Sequence, residues 1–334
     1  MPGDGATHWG VWLHAVRPLP ELAAFARGAE DRGAAAVLVA DEGTDRDLFV
    51  TLAVLAQATS SALLVAAVTN PYTRHAVATA AAFASVEELA PGRVVAGFGA
   101  GGSRVLGPLG LSPARPFTTL VETIDVVDDL LAGTLVDHDG EVTVRATALP
   151  WSPGRLPVAI AGRGPRVERL AGARADWVLL AGKATGRVEA LARDLRAAGS
   201  ATRGRPPKLA WNPIVAWTPS MAAEVRSHLA YITVDLPVED RRRLGVDDDL
   251  ATRLRGIVTT DGPDAAAPLI PDAVVDEYTI VGDRGTVVDR LADLCRRARP
   301  EVVALDASDY SVRFLDECAA VMHDAGVVAG PVGA

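Results

Sequence analysis

The sequence predicts an α/β protein of the (β/α)8, or TIM-barrel, class. Two observations carry that prediction. Short apolar runs rich in Val, Ile, Leu and Ala alternate with longer amphipathic stretches, the mark of βα units around a parallel sheet. Eight such runs alternate with eight helical stretches, and the runs are continuous in the way of strands buried on both faces. A doubly wound open sheet is the rival architecture, but it usually stops short of eight strands.

Taken in order, residues 10–13 make the first strand. Pro18 and Pro20 open a helix over 18–32, where a first-turn proline is tolerated, and Gly33 stands just past its end. The second strand is 36–40 and its helix 46–59. The apolar stretch 51–68 is interrupted by Gln57, Thr59, Ser60 and Ser61, so it reads as a helix end, a turn and a third strand at 63–68 rather than a membrane span. A helix over 76–89, a strand over 93–98 and a helix over 117–131 follow. The fifth strand is 157–161, with a helix over 165–173 starting on Pro165; the sixth is 177–181, with a helix over 185–198. The seventh strand is 209–217. Asp283 and Asp309 supply N-cap acceptors for helices over 283–298 and 309–324, which flank the eighth strand, 302–306, and Gly326 follows the last helix.

Two connections break the rhythm. Residues 135–155 alternate polar and apolar around Asp139-Gly140, as a hairpin would. Residues 219–277 are much longer than a barrel loop and hold a helical stretch (222–232), an acidic-basic cluster (239–249) and a Pro/Asp-rich segment (261–272). A connection of that length is usually a lid or an extra helical layer. With no repeat or low-complexity linker, residues 1–334 read as one domain.

Composition narrows the function classes. The chain has 334 residues, 49% of them hydrophobic, and a formal charge of −9. That apolar content excludes disorder, and the acidic balance disfavours nucleic acid or an anionic membrane as partner. Cys295 and Cys318 cannot staple a fold of this size, and the polar, Gly-rich start (1–8) has no leader pattern, so a cytoplasmic location is expected.

In a barrel of this class the site lies at the C-terminal ends of the strands, and polar residues and glycines cluster there. The ends read His14; Asp41-Glu42-Gly43; Thr69-Asn70-Pro71; Gly99-Ala100-Gly101-Gly102-Ser103; Gly162-Arg163-Gly164; Gly182-Lys183; Trp211-Asn212; and Asp306. Gly162-Arg163-Gly164 leads straight into a helix at Pro165, so free N–H groups, the helix dipole and the cations Arg163 and Lys183 make a phosphate site. For any one glycine cluster alone, a tight βα turn is sufficient explanation. The scattered histidines and two cysteines give no metal-ligand spacing, and neither a Walker loop nor a Gly-x-Ser-x-Gly elbow occurs. Gly97-Phe98-Gly99-Ala100-Gly101-Gly102 follows a strand but is expected to lead into a loop, which weakens a Rossmann reading.

The segments Thr69-Asn70-Pro71-Tyr72-Thr73-Arg74-His75, Glu87-Glu88-Leu89 with Gly92-Arg93, and Gly97-Phe98-Gly99-Ala100-Gly101 resemble the luciferase-like superfamily. Pro157-Val158-Ala159-Ile160-Ala161-Gly162-Arg163-Gly164-Pro165 and Ala175-Asp176-Trp177-Val178-Leu179-Leu180 are similar to its fifth and sixth strands. The branch most resembled is that of methylenetetrahydromethanopterin reductase and related enzymes of the deazaflavin coenzyme F420. The resemblance implies F420, or alternatively FMN, lying across the barrel mouth. Asp41 would then hydrogen-bond the polar edge of the ring. Ala67, Val68, Thr69 and Asn70 would back it, with a non-proline cis peptide at Ala67–Val68. Gly99, Ala100, Gly101 and Gly102 would border ring and tail, and Gly162, Arg163, Gly164, Gly182 and Lys183 would hold the phosphate. A homodimer or higher oligomer is also implied.

The chain departs from that pattern in three places. Relatives acting on alcohols or sugar phosphates often carry His after the Asp, where Glu42 stands, and Glu after the strand-four glycines, where Gly102 and Ser103 stand. The pterin reductases resemble a pattern with an acidic residue at the place of Trp12. Fold and cofactor therefore carry over better than any substrate. From the residues themselves, Glu42 and His14 are the candidate acids or bases. The alternatives are a capping or Arg46-paired carboxylate and a structural histidine. His75 reads as a helix-start or phosphate-side residue, and Asp176 as a capping or structurally paired carboxylate. Trp12 and Trp211 are expected to wall the substrate pocket, unless they are ordinary barrel packing.

The expected activity is F420-dependent hydride transfer to or from a small organic molecule, with 219–277 as the lid. An FMN-dependent monooxygenase and, given the missing acid at Gly102 and Ser103, a non-catalytic flavin- or deazaflavin-binding protein are the rivals.

Overall fold

The structure, a computed structural model, describes residues 5–332; of the polar stretch 1–8, residues 1–4 lie outside them. The first half contributes β1 (His8–Leu13), α1 (Leu19–Asp31), β2 (Ala36–Val39), α2 (Leu48–Ala58), β3 (Leu63–Ala66), α3 (Ala76–Leu89), β4 (Val94–Phe98), α4 (Ser103–Leu106) and α5 (Pro116–Leu131). A hairpin of β5 (Val136–Asp139) and β6 (Thr143–Thr147) follows, at the expected place. Then come β7 (Val158–Ala161), α6 (Pro165–Arg174), β8 (Trp177–Ala181), α7 (Val188–Arg203) and β9 (Lys208–Asn212). After them stand β10 (Ile214–Ala216), α8 (Pro219–Val234), α9 (Val238–Arg243), α10 (Asp248–Thr260), α11 (Pro263–Ala266), α12 (Asp272–Tyr278), β11 (Thr279–Val281), α13 (Arg284–Ala298), β12 (Val302–Asp306) and α14 (Val312–Asp324). Eight parallel strands close in the order β1-β12-β9-β8-β7-β4-β3-β2, the barrel expected from the alternation.

Both faces of each strand are buried, yet the period of two still sorts the side chains. Val11, Leu13, Val37, Val39, Val178, Leu180, Leu209 and Trp211 pack outward under the helices. Trp12, Ala36, Leu38, Val65, Trp177, Leu179, Ala210 and Ala304 fill the barrel. Continuing the inward set to the C-terminal ends brings Trp12, His14, Ala67, Ala161, Ala181, Asn212 and Asp306 to the mouth.

The seventh strand differs from the expected 209–217. Pro213 has no N–H for the ladder, so the barrel strand stops at Asn212. Ile214–Ala216 leaves the barrel and pairs in parallel with Thr279–Val281, through Ile214↔Thr279 and Ala216↔Val281. Those two strands hold both ends of the insertion side by side. The insertion contains several helices, α8 to α12, where the sequence showed one stretch, and they surround their own core of Leu229, Ile232, Leu254, Ile270, Val274 and neighbours.

Smaller differences have local causes. The last helix is capped by Ser311, whose Oγ accepts from Phe314 N at 3.1 Å; Asp309 instead accepts from Ser311 N and Oγ. A short helix, not a loop, follows Gly102. Asp283 caps α13 as expected, accepting from Thr286 N. Cys295 and Cys318 are buried free thiols. Among the described residues no helix is long and apolar enough to cross a membrane.

Glu30 ties the turn before β3: its carboxylate accepts from Ser60, Ser61 and Ala62 N–H groups at 2.7 to 3.0 Å. Burial raises its pKa, but those donors outweigh burial and hold it at about 2 against an ordinary 4.5. A depressed carboxylate pKa contributes stability above the unfolded value, and that stability is lost as pH falls through the folded one. Glu30→Gln is therefore expected to lower Tm at pH 7, with the difference from wild type shrinking between about pH 4.5 and about 2 in an acid-unfolding series.

Candidate active site

A cavity of about 520 Å3 opens at the C-terminal end of the barrel, a size typical of small-molecule sites. One wall carries the chemistry. His14 continues β1 inward, Asp306 ends β12 and Glu42 follows β2. Helix α8 adds His228 and Tyr231 from the insertion. His14 Nε2 lies 3.8 Å from Asp306 Oδ1 and His14 Nδ1 lies 3.9 Å from Glu42 Oε1. His228 Nε2 is 3.8 Å from Asp306 Oδ2, so one carboxylate faces two imidazoles whose ring centroids are 6.3 Å apart. Glu42 Oε2 is held by Arg104 Nε at 2.8 Å, and the Arg104 guanidinium lies 5.0 Å from the Tyr231 ring centroid.

Electrostatics splits the two histidines. Burial disfavours the His14 imidazolium, but the facing Asp306 and Glu42 outweigh burial, so its pKa is raised. Burial lowers the His228 pKa; Asp306 offsets only part of that, and His14 adds to the lowering. For Asp306, burial pulls upward, but His14 and His228 bring its pKa below the usual carboxylate value. One histidine pulled up beside another pushed down is the arrangement that assigns acid and base roles to paired groups. His14 Nδ1 and Asp306 Oδ1 are buried without a hydrogen-bond partner.

The floor and one edge of the cavity are formed by Asp41, Ala67 and Val68, with the Ala67–Val68 bond cis. Asp41 Oδ2 accepts from Thr69 Oγ1 at 2.8 Å, and burial raises its pKa despite that bond. Gly99, Ala100, Gly101 and Gly102 line the adjoining side. Gly99 has a packing reason: a Cβ there would sit 2.7 Å from Val68 Cγ2, so a larger residue would have to displace the floor's Val68 side chain.

The opposite end suits an anion. Gly162, Arg163 and Gly164 line it, with Gly164 as the N-cap of α6. Arg163 Nη2 is 3.8 Å from Asp235 Oδ2, the residue that ends α8, so the insertion leans on this end as well.

Several sequence expectations change here. Trp211 is a correction: it is 1% exposed and packs outward among the barrel helices, because it is out of phase with inward-facing Ala210 and Asn212. Asn212 takes the expected place in the wall and donates to Ala304 O at 3.0 Å. Lys183 does not line the cavity; its Nζ donates to Gly162 O at 2.7 Å and to Glu168 at 2.6 Å, and burial lowers its pKa against the pull of Glu168. Gly182 does line it. Thr69 and Asn70 stand behind the floor, Asn70 Oδ1 accepting from Tyr72 and Thr73 N–H. Glu42 pairs with Arg104, while Arg46 donates to Ala15 O. His75 caps α3 away from the cavity. Asp176 is a structural pair, bound to Arg203, Arg205 and Val158 N–H. Sequence reasoning gave no role to Asp306 or Asn212, which the inward period of two marks, nor to His228, Arg104, Tyr231 and Asp235, which only the fold brings in. Among the described residues no group of three or more His, Cys, Asp or Glu is arranged for a metal.

Comparison with known proteins agrees with this architecture. The profile of the luciferase-like monooxygenase family matches residues 6–299. A 5,10-methylenetetrahydromethanopterin reductase of Methanolobus tindarius is 29% identical over 306 residues, 89% of this chain and 93% of that one. An F420-dependent glucose-6-phosphate dehydrogenase of Nakamurella multipartita is 32% identical over 179 residues, covering 49% of this chain and 53% of its own. The structure of a coenzyme F420-dependent tetrahydromethanopterin reductase from Methanopyrus kandleri superposes with a TM-score of 0.76 at 22% identity, covering 94% of this chain and 97% of that one.

Proposed function

The chain belongs to the luciferase-like monooxygenase family, and from that premise we propose that it is an oxidoreductase that uses coenzyme F420 to move hydride to or from a small organic substrate. The observation that carries the reading is the single cavity that joins an acid–base group at one end to an anion-suited helix N-terminus at the other. The names of the relatives, a pterin reductase and an F420-dependent dehydrogenase, support the same chemistry.

The residues present fit the cofactor. Arg163 and the N–H groups at the start of α6 would hold its phosphate, Asp41 would meet the polar ring edge, and Ala67–Val68 with Gly99 would form the bed. When bound, the deazaflavin supplies or accepts hydride. The protein supplies the proton balance. His14, whose pKa is raised by Asp306 and Glu42, gives a proton to the substrate heteroatom in reduction and takes it back in oxidation. Asp306 holds the His14 charge, and Glu42, pinned by Arg104, holds the other edge of the imidazole. The insertion closes over this wall through His228 and Tyr231, which keeps water from the reacting atoms.

Titrating F420 and FMN against the protein, by quenching and by retention on a sizing column, tests the reading. F420 retained and FMN excluded is expected; FMN retained with F420 excluded would move the chain to the monooxygenase reading. Arg163→Gln is expected to weaken F420 about tenfold or more, the loss of one charged hydrogen bond.

Asp306→Asn removes the main charge that raises His14. Histidine NMR titration should show His14 above 6.5 in the wild type and lower in the variant. The sign for stability follows: a raised histidine pKa contributes below the unfolded value and that contribution is lost as pH rises through the folded one. The variant should therefore lose stability at pH 5 through His14, with less of that loss at pH 8. An unmoved His14 titration would remove Asp306 from the site's proton chemistry.

A further inference from the structure

At the opposite, N-terminal end of the barrel lies a second recess of about 240 Å3, where β7, β8 and β9 begin. Its lining holds four cations, Arg155, Arg203, Arg205 and Lys208, against a single carboxylate, Asp176. That is a concentrated positive site on a chain of net charge −9. Asp176 is already satisfied: Oδ1 takes Arg203 Nη1 at 3.1 Å and Arg205 Nη2 at 2.5 Å, and Oδ2 takes Val158 N at 3.0 Å. Arg155 is paired outside the lining with Asp128 at 2.7 Å.

The other edge of the Arg203 guanidinium is different. Its Nε and Nη2 are both buried and have no hydrogen-bond partner, although they form the fork that grips an oxyanion through two parallel bonds. Beside it Trp177, 3% exposed, also lines the recess, and its indole Nε1 is likewise buried and without a partner. Three buried nitrogen donors left without acceptors, on two residues that line one small recess, are costly to the fold unless something accepts from them. The Lys208 ammonium lies 5.2 Å from the Trp177 ring centroid but is already engaged in an interaction of its own.

We propose that this recess binds a small oxyanion, a phosphate or carboxylate group, held by the free Nε/Nη2 edge of Arg203 and the indole N–H of Trp177. The site is separate from the barrel mouth and does not depend on the cofactor assigned there. Bound anion would tie the end of α7, at Arg203, to the start of β8, at Trp177, so it acts as a ligand of the folded state and raises Tm.

The test is equilibrium dialysis of inorganic phosphate and of malonate, together with Tm in each anion against sodium chloride at equal ionic strength. Wild type and Arg163→Gln, which disables the anion end of the mouth, should bind equally at the recess. Trp177→Phe deletes only the indole N–H and should weaken binding about tenfold, the loss of one bond to a charged group. Arg203→Gln should weaken it further, and if that variant fails to fold because Asp176 loses a partner, Trp177→Phe carries the test. Phosphate alone, malonate alone or both binding in this pattern supports the site and identifies the group it takes. Binding that vanishes in Arg163→Gln and survives in Trp177→Phe would overturn it, as would stabilisation no greater than that of chloride.

Discussion

Replacing His14 by alanine is expected to lower turnover by about 10²–10⁴-fold while leaving F420 affinity close to that of the wild type, the usual size of a positioned acid–base group. His14 lines the cavity and faces Asp306 and Glu42 from the same wall. The measurement is reoxidation of reduced F420 by the best acceptor in a panel of small carbonyl compounds and imines, read beside a binding titration. His14→Gln keeps the shape and a hydrogen-bonding side chain but cannot become cationic, so it should be nearly as slow. Full activity in either variant with cofactor bound would take His14 out of the mechanism.

The second large effect falls on the bed of the cavity. A Cβ at Gly97 would lie 1.8 Å from Ala66 O and 2.9 Å from Ala66 C. Both are backbone atoms of β3, the strand that ends in the Ala67–Val68 floor, so the clash cannot be relieved by a side-chain rotation. Gly97→Ala must push β3 and β4 apart, and overpacking of a tight core costs about 3 kcal/mol at the upper end of its usual range. A Tm lowered by several degrees, or insoluble protein, is expected, with F420 affinity lost along with the floor. Gly186→Ala, where a Cβ meets nothing within 4 Å, is the control and should melt with the wild type. A Gly97→Ala protein with normal Tm and normal F420 binding would show that the floor tolerates movement.

The barrel was legible because each strand is a short apolar run bounded by turn residues, and burial on both faces makes such runs continuous. The same continuity hid which way each side chain points. Trp211 and Asn212 stand side by side at a strand end, and only the inward phase set by Ala210 decides that the amide, not the indole, reaches the cavity. Asp306 was visible as a strand end but not as the partner of two histidines. His228 had no local signal: it sits on a helix of the insertion, and its place over Asp306 depends on Pro213 releasing the chain from the barrel and on β10 and β11 holding the insertion ends together. Lys183 shows the reverse error. A cation beside a glycine turn reads as a phosphate ligand, yet Glu168 on α6 captures it. The cis Ala67–Val68 bond was expected from family resemblance alone and is present.

Crystallising the protein with F420 puts the claim of one shared cavity to its most direct trial. The phosphate tail is expected against Gly162-Arg163-Gly164, the ring on Ala67–Val68 with its polar edge at Asp41, and the open ring face turned to His14. A tail bound away from Arg163, or a ring whose reactive face looks away from the His14–Asp306 wall, would contradict it.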